Sequence, residues 1–328
     1  MPTTTTTQIP VNLQGFYDRN LLERAVPELL YSLFGQVRPV PKNAGTRANF
    51  RRYGNLAPAT TPLTEGATPA GSQLSATDIY VTMNQYGDFV TLSDVLLMTG
   101  LDGKILDDQD LLGQQAGETI DIVHRTALMA GTTVRYANGV ASRSLVDKTI
   151  LDVDVDAAIR ALEGNNAKKL RDIKVGGAKI NTYPLRPAYI GIAHTDSRKD
   201  IEALAGFKSV EEYASQGDVL AAEIGATKNI RWLVTTNGQK WSAAGAAVSG
   251  TGLLGTANVD VYGTLIIGKN AYGTVPLQKK TIESIIKQLG AGEDPLNQRA
   301  TNGWKAMTAC KILNDDWLLR IEHGVSAL

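Results

Sequence analysis

The chain has 328 residues, 43% of them hydrophobic, and its 33 Lys and Arg balance 33 Asp and Glu. That composition supports a full core in one large or two modest domains, and the zero formal charge builds in no global attraction to nucleic acid or an anionic membrane. The single cysteine, Cys310, rules out an intrachain disulfide and a cysteine-based zinc site; it reads as a small buried hydrophobe in a reducing cytosol. No signal sequence opens the chain and no run of about 18 apolar residues crosses a bilayer, so no membrane is expected.

Residues 1–15 begin with a threonine run and hold little that packs, which predicts an extended arm. From Phe16 to Phe34 the positions Leu21, Leu22, Val26, Leu29, Leu30 and Leu33 follow helical spacing, with Asp18 as cap, Pro27 as kink and Gly35 as stop. Pro39 and Pro41 then make Gln36 to Asn43 an extended connector. Two strand-like runs follow, Arg47 to Leu56 and Asp78 to Leu92; the second alternates Ile79, Val81 and Met83 against Tyr80, Thr82 and Asn84. Between them, Ala57 to Ser75 is rich in Pro, Thr, Gly and Ala and too poor in apolar residues to fold alone. A two-stranded ribbon standing away from its own core is marginal in water, so a second subunit is expected to complete it.

Asp107 to Tyr136 keeps one helical phase from end to end. Leu112, Ala116, Ile120, Val123, Ala127, Ala130 and Val134 recur at steps of three and four, predicting an apolar stripe on a helix about 42 Å long. Asp107, Asp108 and Asp110 suit its positive end and Arg135 its negative end. Gly113, Gly117 and Gly131 point to close packing against another backbone, so this helix is read as a spine. Beyond it come a short helix at Asp156 to Glu163, a buried strand at Ala188 to Ala193 and a helix at Asp196 to Ala205, capped by Thr195 or Asp196. Asn229 to Thr235 and Val259 to Ile267 read as strands around a small-residue loop, 238–255. Gln298 to Glu322 suggests two antiparallel strands turning at Asn314 and Asp315. The fold class is α+β.

Motifs that carry chemistry are weak. Gly250, Gly252 and Gly255 spell a dinucleotide fingerprint, but a strand follows where that site needs a helix N-terminus. Asp152, Asp154, Asp156 and Glu163 imitate a calcium loop, yet Ala157 replaces the glycine its bend requires, so a strand edge and helix cap are the better reading. His124, His194 and His323 show no paired ligand spacing. The alternative reading is a cytosolic hydrolase or transferase using His194 near Asp196 and Asp200. No cofactor, no metal and no catalytic residue is assigned. A detachable arm, a ribbon and a long spine without an active site describe a subunit built for assembly.

Recognition of longer stretches agrees. Val259-Asp-Val-Tyr-Gly-Thr-Leu-Ile-Ile-Gly-Lys-Asn-Ala-Tyr-Gly273, Asp294-Pro-Leu-Asn-Gln-Arg299, Gly303-Trp-Lys-Ala306, Lys311-Ile-Leu-Asn-Asp-Asp316 and Arg320-Ile-Glu-His-Gly324 resemble tailed-phage major capsid proteins of the Hong Kong 97-like type. Pro62-Leu-Thr-Glu-Gly66, Val134-Arg-Tyr-Ala-Asn-Gly139, Asn165-Asn-Ala-Lys168 and Glu223-Ile-Gly225 are similar to that family's segments in the same order. The likeness runs from about residue 20 to the C-terminus.

The resemblance implies an N-terminal arm over 1–45, an extended loop over 46–93, and a peripheral domain over 94–150 that holds the spine helix 107–136. It further implies an axial domain over 151–275 and a return of 276–328 to the peripheral sheet. Implied too is self-assembly as hexamers and pentamers into the icosahedral shell of a virion, built in the bacterial host cytoplasm around double-stranded DNA held by weak non-specific contact. A portal protein and decoration proteins would be further partners. Nothing before Phe16 serves as a built-in scaffolding region, so a separate scaffolding protein is expected. No lysine occurs between Lys42 and Lys104 to form the covalent cross-link of some members, so the shell is expected to be non-covalent. Arg47, Arg51 and Arg52, with Tyr53 beside them and Glu65 in the loop, are the candidate intersubunit contacts.

Overall fold

The computed structural model describes residues 29–41, 45–54, 56–62, 65–66, 68, 71–95, 104–170, 187–213, 219–220, 222–248, 250, 252–276, 282–287, 289, 296 and 298–327, without the side chains of 104–107. The expected arm over 1–15 and residues 16–28 of the expected first helix lie outside that set. From Leu29 to Gly35 the chain is a turn, not a helix, and it leads into β1 (Gln36–Val37).

Five strands form one sheet: β1, β4 (Asn84–Ser93), β12 (Tyr272–Pro276), β13 (Ile282–Lys287) and β14 (Arg299–Ile312). The long β14 carries β12 and β13 end to end along one flank and β4 along the other. The spine, α1 (Lys104–Met129), lies on this sheet. Its Leu112, Ala116 and Ile120 pack on Ile282, Trp304 and Ala306. Polar bonds run along the same seam: Gln109 Nε2 donates to Ser284 Oγ at 2.8 Å, and Trp304 Nε1 donates to Gln115 Oε1 at 3.1 Å.

Past Ile120 the buried stripe departs from the expected one. Asp121, His124 and Leu128 are buried, whereas Val123 and Ala127 are half-exposed and Ala130 is exposed. Polar residues turn inward here because each finds a partner. Asp121 accepts the Tyr31 N–H at 2.9 Å, and His124 lies between Ser32 Oγ at 2.7 Å and Thr308 Oγ1 at 2.9 Å. With its ring buried, His124 titrates at about 4, well below an ordinary histidine.

The helix also stops seven residues short of Tyr136. The Asp315 carboxylate accepts the Thr132 N–H at 2.9 Å and the Thr132 hydroxyl as well, while Arg320 donates to the Met129 carbonyl. A Cβ on Gly131 would sit 2.9 Å from that same carboxylate. Val134–Tyr136 then becomes β5, parallel to Arg320–Glu322. Arg135 is therefore on a strand, where it pairs with Asp154 at 3.1 Å.

The second sheet has eight strands. It orders β5, β15 (Leu318–His323), β11 (Val261–Ile267), β6 (Tyr189–His194), β9 (Ile230–Thr235), β8 (Glu223–Thr227) and β7 (Phe207–Ser209), with β10 (Gln239–Trp241) also on β11. β10 was not expected inside the small-residue loop. Every residue of β11 and β15 is buried; β11 is a largely apolar run, as a central strand requires, whereas β15 also buries Arg320, Glu322 and His323. Gly191 is needed in β6 because a Cβ there would lie 2.4 Å from the Trp232 ring. Against this sheet packs α2 (Asp152–Gly164), through Val155, Ala158, Ile159 and Leu162. It starts four residues earlier than predicted, so Asp152 and Asp154 belong to its first turn and not to a strand edge. Asp154 is fully buried between Arg135 and the Asn138 N–H.

Further corrections concern the ends of elements. The helix expected over Asp196 to Ala205 is a turn of 3-10 helix followed by the short α3 (Arg198–Glu202). Its cap is neither Thr195 nor Asp196: His194 Nδ1 accepts the Asp196 N–H at 3.0 Å. β14 and β15 do part near Asn314 and Asp315, but they do not form a hairpin. Leu313 and Asn314 both donate to the Ala271 carbonyl at 2.9 Å, the chain crosses over, and β15 pairs with β11. The last strand thus runs in the eight-stranded sheet, whereas β13 and β14 run in the five-stranded one. A shared core joins the sheets: Ile192, Leu265 and Ile267 of one meet Tyr272 of the other, with Leu128 of the spine between. The Tyr272 hydroxyl donates to the Tyr31 carbonyl at 2.7 Å and accepts the Phe34 N–H at 3.2 Å, tying the start of the described chain to this joint.

Candidate assembly interface

The ribbon consists of β2 (Arg47–Tyr53) and β3 (Ala76–Thr82), paired antiparallel from Arg47–Thr82 to Tyr53–Ala76. The single run expected over Asp78 to Leu92 divides at Met83, with β3 serving the ribbon and β4 the five-stranded sheet. Period-two alternation splits β2 into two faces. Ala48 and Phe50 point inward with Val81 and Met83 and pack on Val275, Ala309 and Leu313. The ribbon therefore does not stand clear of its own core; the chain's own sheet covers its inner face. A Cβ on Gly273 would lie 2.6 Å from the Phe50 ring, so the glycine makes room for that contact.

The predicted contact residues separate by face. Arg51 and Asp78 are cross-strand partners, with Nε to Oδ1 at 2.8 Å and Nη2 to Oδ2 at 3.2 Å. The Arg51 hydrogen bond holds the Asp78 carboxyl below its ordinary range. Both side chains are open to solvent, where such a pair adds little stability. Arg47 places its guanidinium 4.8 Å above the Tyr80 ring. Arg52 points the other way and donates from Nη1 to Asn314 Oδ1 at 2.9 Å, locking the ribbon to the link between β14 and β15. Tyr53 is 61% exposed, and Glu65 is exposed in the loop beyond. The structure thus brings Arg47, Arg51, Arg52 and Tyr53 together on one strand and leaves Glu65 apart from them.

The last ribbon bond joins the Gly54 N–H to the Ser75 carbonyl at 2.9 Å. Beyond it the described residues of 56–74 form no helix or strand, and Leu56 and Leu74 are exposed. A second open feature escaped the sequence reading: β4 pairs only with β14, so among the described residues its outer edge is free, with Phe89 66% exposed. Alternation alone does not tell an edge strand from a central one, which hid this feature.

The His194 locus is filled by structural bonds. Nδ1 caps the helical turn, the ring tilts against Tyr262 at 5.2 Å, and burial depresses its basicity. Asp196 accepts the Tyr262 hydroxyl at 2.8 Å. Asp200 accepts from Ser326 N–H at 3.0 Å and Oγ at 2.7 Å, so it fastens the C-terminal segment and does not serve His194. Among the described residues, no three His, Cys, Asp or Glu side chains gather as metal ligands. Gly250 and Gly252 have φ of +77° and +66°, and the chain runs on into β11 with no helix for a phosphate. Cys310 is partly buried at the joint of the sheets, where burial pushes its thiol up to about 12. No described helix is long and apolar enough to cross a membrane.

Comparison with known proteins places this geometry. A family model described as phage capsid protein matches residues 76–321. The major capsid protein of Pseudomonas phage KPP21 is 26% identical over 224 residues, which covers 62% of this chain and 56% of that relative. The chain therefore spans about half the length of the curated relative it matches. Among solved structures, the capsid of Ralstonia phage GP4 superposes with a TM-score of 0.68 at 13% identity, over 90% of this chain and 88% of that one. The head of Helicobacter pylori bacteriophage KHP40 follows at 0.64 and 11%, with the same coverage of 90% and 88%. The capsid asymmetric unit of cyanophage Pam1 aligns over 93% of both chains at 12% identity and a TM-score of 0.56. The fold is the Hong Kong 97-like one expected from the sequence, and with the family match covering most of its length, the chain belongs to the phage capsid protein family.

Proposed function

We propose that the chain is the shell-building subunit of a tailed-phage head, assembling with copies of itself as hexamers and pentamers into an icosahedral shell around double-stranded DNA. The observation that carries this reading is the contrast between closed cores and open strands: the ribbon's outer face, its long loop and the β4 edge are left for another chain to cover. In this account the five-stranded sheet with α1 is the peripheral domain, and the eight-stranded sheet with α2 is the axial domain. Of the expected extended loop, residues 46–82 lie over an adjacent subunit, while 84–93 join the peripheral sheet as β4.

Obligate interfaces of roughly 2,000 Å² or more, repeated around each copy, hold such a shell even when single contacts are modest. Arg47, Arg51, Arg52, Tyr53 and Glu65 are the contact residues of that surface. A separate scaffolding protein, a portal and decoration proteins are the expected partners, and DNA contact is weak and sequence-independent at zero formal charge. With no lysine from 43 to 103, the shell is held without covalent links in the loop. Negative-stain microscopy of the full chain beside a deletion of residues 57–75 tests the reading. Rings, sheets or shells from the full chain only are expected, and normal shells from the deletion would show the loop to be dispensable.

A further inference from the structure

We infer that the cleft at the loop end of the ribbon is the receptor for the Glu65 turn of a second copy, with the Glu65 carboxylate seated on Arg52. The inference rests on the shell-building reading and adds which residues meet. The cleft holds about 340 Å³ between the end of β2, the residues that follow α2 and the link 313–317. The three β2 arginines are not equivalent there. Arg51 is matched by Asp78, and Arg47 stacks on Tyr80 on the ribbon's outer face. Arg52 lines the cleft, uses one N–H on Asn314, and has no carboxylate within ion-pair distance among the described residues. A guanidinium carries five N–H donors in a fixed fork that matches a carboxylate, so most of that fork stays open.

The occupant follows from charge. From residue 55 to residue 77 the loop carries one charged side chain, Glu65. It sits exposed in a turn with Gly66 at φ +75°, and within one copy it does not pair with Arg52. A loop of small, uncharged residues laid over a neighbour must cover its lone carboxylate, and a buried charge is tolerated only when paired. Glu65 lies about 11 residues past the ribbon's end, a reach of up to ~36 Å, enough to leave its own domain. Asp316, on the same cleft wall, suits the backbone N–H groups that such a turn presents.

Charge reversal tests the pair. Arg52→Glu and Glu65→Arg are made singly, combined in one chain, and as an equimolar mixture of the two single variants; sedimentation velocity reads the fraction in large assemblies. Both residues are exposed, and unchanged denaturation midpoints confirm that each variant is folded. Each single change is expected to lower the assembled fraction at least tenfold. The double variant is expected to restore it, and so is the mixture, because copies that alternate around an even ring such as a hexamer present opposite charges at every contact. Restoration by the double variant but not by the mixture would place the pair within one copy and overturn the inference. So would wild-type assembly of both single variants, which leaves the shell-building reading standing. A wild-type chain that never assembles, with or without a scaffold, would remove both.

Discussion

The eight-stranded sheet and the ribbon are both β-structure, yet they bury their residues for different ends. In the sheet, β11 and β15 are buried at every position, and their polar side chains pair within the chain: Glu322 takes Arg143 at 2.6 and 2.8 Å and lies at ion-pair distance, 2.8 Å, from Arg320, while His323 meets Thr264 at 2.8 Å. In the ribbon only Ala48, Phe50, Val81 and Met83 are buried, and the opposite face holds Arg47, Arg51 and Tyr53 in solvent. The sheet is finished within one chain. The ribbon is half finished, which is what a subunit needs where a neighbour supplies the other half.

Breaking the sheet should have the larger effect on the isolated subunit. Trp232→Ala empties the space beside Gly191 and is expected to cost about 3–5 kcal/mol in denaturant unfolding, enough to threaten the fold. Glu322→Gln leaves Arg143 and Arg320 without their shared anion and should cost about 3 kcal/mol in the same measurement.

His124, on the spine, gives a smaller effect that depends on pH. Its folded value of about 4 lies below the ordinary 6.5, so the unfolded chain binds the extra proton first and stability falls as pH drops from 6.5 towards 4. The loss from this group is on the order of 2 kcal/mol by pH 4.5. His194 and His323 are depressed in the same direction, so His124→Gln should shallow the slope of stability against pH in this window without abolishing it.

In the ribbon the order reverses. Deleting residues 57–75 should leave the unfolding midpoint of the subunit in place while assembly is lost. Arg51→Ala, which opens a solvent-exposed pair, should leave the midpoint unchanged within error. A large loss of subunit stability from either ribbon change would erase the contrast between the two regions.

The same contrast governs how much could be read from the chain. The ribbon's alternation, the buried runs of β6, β9 and β11, and the first half of the spine stripe were legible because apolar periodicity alone sets them. The second half of the stripe was not. Asp121 and His124 face inward through bonds to Tyr31, Ser32 and Thr308, and such partners, up to 184 positions away, have no local signature. The hairpin expected at Asn314 and Asp315 failed for a related reason: the turn residues mark where β14 ends but not which sheet β15 joins. Of the contact residues, the exposed arginines were readable as a cluster. That Asp78 satisfies one of them and Asn314 another follows only from strand register and from the fold of the link.

The most direct test of the shell-building account is sedimentation velocity on the purified 35.1 kDa chain over a range of concentrations, with the fast fractions imaged by negative stain and the series repeated with a candidate scaffolding protein. The account predicts rapidly sedimenting species that resolve as rings, sheets or closed shells and that run as single subunits on a denaturing gel. A lone monomer boundary under every condition would contradict it.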